Sequence, residues 1–167
     1  MRTTCSLVAA VWFLAGTALA GEAAPATKDL GDAKKLLDLP EASAEEYAQV
    51  DGTWELIQDT GQAGKVRRVK THQGGKTSVT AYNAEGKIVG QHKSEYKLKQ
   101  SGMARIFVYS KVVPTMGPSE GRELPGPFYY AYSVHDGTFI EFYGLLAGDD
   151  RSPRMLLWKR AKKEASP

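Results

Sequence analysis

Three histidines, His72, His92 and His135, are the residues of this 167-residue chain that first invite a metal-binding or catalytic reading. A zinc centre would want them at His-x-His or His-x-x-x-His spacing, or helped by cysteines. They fall instead on separate predicted strands and turns, and the single cysteine, Cys5, lies near the N-terminus. His135-Asp136-Gly137 has the composition of a hairpin turn, which accounts for its histidine without chemistry. Glu141 sits two residues before Tyr143, but a lone carboxylate makes no acid–base pair. Ser110 and the other serines lack the small-residue frame of a nucleophile elbow. No glycine-rich motif that would cradle a phosphate occurs. The pattern predicts a protein that is not an enzyme, with no cofactor and no metal centre.

What remains is binding chemistry. The cluster Lys65-Val66-Arg67-Arg68-Val69-Lys70 reads either as a phosphate-binding strip or as the solvated, charge-protected face of an edge strand. The formal charge is +3, or +2 without Arg2, and both signs are interspersed along the chain. Nucleic-acid binding would want a broader basic face, so no nucleic-acid partner is expected. Strand alternation gives a second candidate, an inward set of Leu56, Tyr96, Leu98, Ile106, Val108, Tyr130, Tyr132, Ile140 and Phe142, with each register free to shift by one residue. This set describes an apolar cup whose tyrosine hydroxyls orient a small hydrophobic or amphiphilic guest. It equally describes a filled core, because a barrel of about eight strands has room for its own side chains or one small ligand.

Elements must position those residues, and the first stretch of the chain supplies none. Arg2, the apolar run Leu7 to Leu14 and the small residues Ala18-Leu19-Ala20 form a signal peptide over residues 1–20, cleaved after Ala20. The apolar run is shorter than the roughly 20 residues a bilayer requires, so no stable membrane insertion is expected after cleavage. The mature chain would be secreted or periplasmic and free of cysteine, its stability resting on the core alone. Residues 21–50 read as a disordered tail followed by short helices. Leu30, Ala33, Leu36 and Leu37 fit one or two helical turns ended by Pro40. Ser43-Ala44-Glu45-Glu46 has capping-box spacing and starts a helix running to about Gln49.

From Asp51 the texture changes to short β-branched and aromatic runs punctuated by glycine. Strands are predicted at Thr53–Gln58, Val66–His72, Ser78–Tyr82, around Lys93–Lys99, Ala104–Val113, Phe128–Val134, Thr138–Leu145 and Arg154–Arg160. Gln73-Gly74-Gly75-Lys76 is the clearest hairpin signal. Lys93 to Lys99 alternates so that Tyr96 and Leu98 share one face and the charges the other. Residues 114–127, rich in proline and glycine, form an irregular loop that reads as a fixed rim, a lid or a plain insertion. About eight strands without a long crossover helix favour an antiparallel meander, and closing it removes two exposed edges. The expected fold is therefore all-β, an up-and-down antiparallel barrel over residues 51–161, preceded by a short helical segment and followed by a polar tail at 162–167. An immunoglobulin-like sandwich is the competing arrangement.

Gly52-Thr53-Trp54 opens the first strand and Leu157-Trp158-Lys159-Arg160 closes the last. With the meander between them, they make the chain similar to the calycin superfamily, and within it to small bacterial lipocalin-like domains. The resemblance covers about residues 51 to 161. It implies that Trp54 seals the barrel base after the bend at Gly52, and that Arg160, or Lys159 one place away, packs across the indole. It further implies a monomeric secreted protein that binds a small hydrophobic ligand. The alternative is an extracytoplasmic protein–protein interaction module with a filled barrel and a protein partner still unidentified.

Overall fold

Glycine-punctuated alternation from Gly52 onward becomes eight strands in the computed structural model, which describes residues 35–61, 64–146, 148–149 and 151–162. The predicted signal peptide, the tail after it, the helical positions Leu30 and Ala33, and the predicted C-terminal tail beyond Lys162 lie outside the described residues. The strands are β1 (Gly52–Asp59), β2 (Lys65–Gln73), β3 (Lys76–Tyr82), β4 (Ile88–Ser101), β5 (Ala104–Pro114), β6 (Phe128–His135), β7 (Thr138–Tyr143) and β8 (Arg154–Arg160). Each pairs antiparallel with its sequence neighbours, and β8 returns to β1, so the sheet closes into an up-and-down barrel. A sandwich is excluded.

Hairpin chemistry follows the turn residues. Gly74 and Gly75 adopt φ of 56° and 77° between β2 and β3, and Asp136 and Gly137 adopt 46° and 66° between β6 and β7. Two successive positive φ values match the right-handed twist of the flanking strands, which is why Gly-Gly and Asp-Gly occupy these positions. The loop after β5 is tied back rather than loose, since Leu124 N–H donates to Val112 O at 2.8 Å and Gly121 N–H to Pro114 O at 2.8 Å. It forms a fixed rim.

Ahead of the barrel, α1 (Ala44–Val50) starts where Ser43 Oγ accepts from Glu46 N–H at 3.3 Å. Val50 at its end is fully buried in the barrel floor. The Tyr47 hydroxyl ties α1 to the sheet by accepting from Leu98 N–H at 3.0 Å and donating to Glu41 at 2.9 Å. Just upstream, Glu41 bridges Lys99. Ala42 N–H donates to Leu98 O at 2.9 Å and Gln100 N–H to Pro40 O at 3.0 Å. The chain before α1 thus extends the sheet at the end of β4, and a helical turn at 35–37 precedes it.

This lead-in explains a correction to the expected inward set. Ile106 and Val108 are buried, but on the outer face of β5 with Tyr129, beneath Leu36, Leu39 and Leu146. Because a strap covers that face, Ile106-Phe107-Val108 is apolar on both sides and loses the alternation that would reveal its register. Phe107 is the inward residue. On β7 the inward residues are Phe139, Glu141 and Tyr143, each fully buried. Ile140 and Phe142 therefore face outward, contrary to expectation. The apolar pair marks the outside here because the one charged residue of the strand has a partner inside.

Candidate ligand site inside the barrel

One end of the barrel is sealed. Trp54 is fully buried, its Nε1–H donates to Val50 O at 2.8 Å, and Phe139 packs against it with ring centroids 5.5 Å apart. The Arg160 guanidinium lies 4.2 Å from the indole centroid. It also donates to Asp51 O at 3.0 Å and Gln49 O at 2.7 Å, using carbonyls that the end of α1 leaves without partners. Gly52 has φ of 135°, and a Cβ there would lie 2.4 Å from Arg160 Nη1. Glycine is required twice over, for its conformation and for the passing guanidinium. Lys159 points elsewhere, donating to Thr138 Oγ1 at 2.8 Å.

Above this floor the interior holds an ion pair. Lys70 Nζ donates to Glu141 Oε1, the two side chains being 7% and 0% exposed. Glu141 Oε2 accepts from the Tyr143 hydroxyl at 3.0 Å, and Lys70 Nζ stands 4.2 Å from the Trp158 ring centroid. The Tyr143 ring is itself contacted by the Arg151 and Arg154 guanidinium groups at 4.5 and 4.7 Å. Glu141 is therefore no lone carboxylate: β2 and β7 bring it a partner 71 positions away in sequence. Nor is the cationic cluster one solvated strip. Alternation splits it, with Lys65 and Arg67 outside, Arg67 paired to Glu55, and Arg68 and Lys70 turned inward.

Between β2, β3, β4 and β5 a narrow cavity lies beside Lys70. Its volume is ≈ 20 Å³, space for about one or two waters. Arg68, Lys70 and His72 line it from β2, Thr77 and Val79 from β3, His92 and Ser94 from β4, and the Phe107, Tyr109, Tyr130 and Trp158 rings complete the wall. His72 Nδ1 lies 2.7 Å from Thr77 Oγ1. Burial first, and the Lys70 charge second, hold its pKa well below the ordinary imidazole value, so the ring is neutral. Among the described residues, four buried polar atoms have no hydrogen-bond partner: Arg68 Nε, His72 Nε2, Trp158 Nε1 and the Tyr132 hydroxyl. The first three belong to residues that line this one cavity.

The residues expected to form a cup are thus divided. Tyr130 lines the cavity. Leu56, Leu98, Tyr96 and Tyr132 belong to the packed interior. The Tyr96 hydroxyl is spent on Asp51 Oδ1 at 2.6 Å, so it braces the floor and orients no guest. Ile106, Val108, Ile140 and Phe142 lie outside. The sequence reading missed Arg68, Lys70, His72 and Trp158 as interior groups. The signal for the first three was the parity of β2, counted back from the Gly74-Gly75 turn.

His135 lies on the exposed turn, 3.0 Å from Asp136, while His72 and His92 meet at the cavity. No group of three or more His, Cys, Asp or Glu side chains able to hold a metal occurs among the described residues. Comparison with known proteins finds no matching family model, and no curated protein or solved structure of significant similarity.

Proposed function

We propose that this chain is a lipocalin-like binding protein that takes one small ligand in the cavity beside Lys70, with no catalytic step. One observation carries the reading: three of the four unpartnered buried side-chain polar atoms among the described residues belong to residues that line a single cavity. A buried donor without a partner costs about 1–3 kcal/mol, and a ligand that satisfies several of them recovers that energy on binding. The sealed floor supports entry from the opposite end, where Arg68 and the tied-back rim stand. The guest is compact, because Phe107 stacked between Tyr96 and Tyr130 at 4.7 and 4.9 Å already fills the lower interior.

Calorimetric titration of the folded chain with single-ring compounds such as phenol, which the cavity admits once the partly buried Arg68 and Tyr109 side chains swing aside, tests this. Saturable binding is expected, and Val79→Phe, which fills the cavity from β3, should abolish it while the thermal transition is retained. Absence of saturable binding to any such compound would end the reading. The proposal includes export, with residues 1–20 as the signal, which the mass of the exported protein checks by starting at Gly21.

The filled lower interior favours a second reading, a barrel that serves as an interaction module. On its outer face Ile57, Met155 and Leu157 are 63%, 53% and 43% exposed on the adjacent strands β1 and β8. A barrel that binds no small compound yet keeps this face exposed would fit that role better.

A further inference from the structure

We propose that the ligand is a compact planar acid, a carboxylate carried on one aromatic or conjugated ring; this rests on the binding reading above and names the chemistry of the same cavity. Arg68 Nε and Trp158 Nε1 are unpartnered, and both are donors that cannot accept. When the Thr77 hydroxyl donates to His72 Nδ1, His72 Nε2–H becomes a third donor. Whatever completes the site must therefore offer acceptors. An ammonium, which has no acceptor, would leave these donors as they are.

Charge narrows the choice. Lys70 is matched by Glu141, and both Glu141 oxygens are occupied, by Lys70 and Tyr143. Glu141 is not among the residues lining the cavity, whereas Arg68 is, and Arg68 has no acidic partner among the described residues. The cavity thus presents one unmatched cation and no unmatched anion. In an interior of low dielectric, a guanidinium–carboxylate contact is stronger than one between neutral groups.

Shape narrows it further. Phe107 and Tyr130 lie parallel within 6° at 4.9 Å, and with Tyr109 and Trp158 they make the apolar wall. Tyr96 and Tyr130 cover both faces of Phe107, so the wall offers a guest ring edges, which favour a thin ring packed edge to face. A single ring enters by displacing the side chains of Arg68 and Tyr109, both only partly buried; a fused pair of rings would demand movement of the buried Phe107 and Trp158.

The experiment is calorimetric titration of the folded full chain with benzoate, benzamide and benzylammonium, three single-ring compounds that differ in charge. Benzoate should bind at least about tenfold more tightly than benzamide, the scale of one hydrogen bond gaining a full charge, and benzylammonium more weakly than either. Arg68→Met should weaken benzoate far more than benzamide and so erase the preference for benzoate, and Arg68→Lys should retain part of it. Equal binding of benzoate and benzamide, a preference that survives in Arg68→Met, or a best fit to benzylammonium would each overturn the acid assignment while small-ligand binding stands. If phenol and all three fail to bind, the binding reading itself falls and ordered water is the cavity's occupant.

Discussion

Lys70 and Glu141 show how much rests on single side chains in an interior this full. The pair is nearly dry, and its worth to the fold lies less in mutual attraction than in what each leaves behind when the other is removed. Lys70→Met or Glu141→Leu alone should destabilise by about 3–5 kcal/mol, because one uncompensated charge stays buried among aromatic rings. The double variant should recover most of that loss, and urea denaturation of the four chains measures the coupling. Additive single effects would show that the two groups do not sense each other. His72 adds a pH dependence whose direction is fixed. Folded, its pKa lies well below the ordinary 6.5, from burial first and Lys70 second; unfolded, it titrates near that ordinary value. The unfolded chain therefore binds a proton that the folded chain refuses, and stability is lost as pH falls below about 6.5, by at most about 1.4 kcal/mol per pH unit until the folded-state pKa is reached. Urea midpoints between pH 8 and pH 5 should show a smaller decline in His72→Gln than in the parent chain. An unchanged decline would place the titrating group elsewhere.

At the scale of elements, barrel closure depends on three residues from opposite ends of the barrel sequence. Trp54→Ala should cost about 3–5 kcal/mol, the scale for emptying a buried aromatic site. Arg160→Ala should cost about 1–2 kcal/mol through the lost contact with the indole and with the end of α1. Gly52→Ala acts on the same contact, since its new methyl would occupy the guanidinium's position. Paired with Arg160→Ala, its cost should therefore fall short of the sum of the two. A double variant matching that sum would mean Arg160 moves aside freely. These three positions were legible in the sequence because Gly-x-Trp and a terminal cation are local signals, with only Lys159 competing with Arg160 for the closing role. The hairpins at Gly74-Gly75 and Asp136-Gly137 were legible for the same reason, positive φ being a demand few residue types meet. Registers were legible only where one face was wet. Tyr96 and Leu98 were placed correctly because lysines and a glutamate alternate with them on β4. Ile106 and Val108 were not, because Leu36 and Leu39 cover the far side of β5. Ile140 and Phe142 were not, because Glu141 faces inward, and that depends on Lys70 from a strand far away in sequence. The candidate site was hidden by the same non-local fact: buried cations look like surface cations until their partner is known.

For the whole molecule, the closed cylinder has no free edge, yet its strands are not joined equally. Two residue pairs hold β8 to β1 in register, Trp54 with Arg160 and Glu55 with Lys159, whereas eight hold β1 to β2 and nine hold β4 to β5. The seam that closes the barrel is its narrowest join, with the Ala161 N–H donating to Thr53 O at 2.8 Å as a further bond across it. An opening confined to that seam exposes less surface than global unfolding, so it should need less free energy and depend less on denaturant. Native-state hydrogen exchange under increasing urea should show the Ala161 amide exchanging through such an opening with a shallow urea dependence. Amides of β4 and β5 around Phe107 should exchange only with the full slope of global unfolding. Arg160→Ala should lower both opening free energies by the same amount, because the guanidinium loses its contacts in either event. It should leave the difference between their urea slopes untouched. Identical free energies and slopes at the seam and at β4–β5 would instead make closure inseparable from the core. The clamp of Trp54, Gly52 and Arg160 would then belong to a single cooperative unit, with no seam that opens independently.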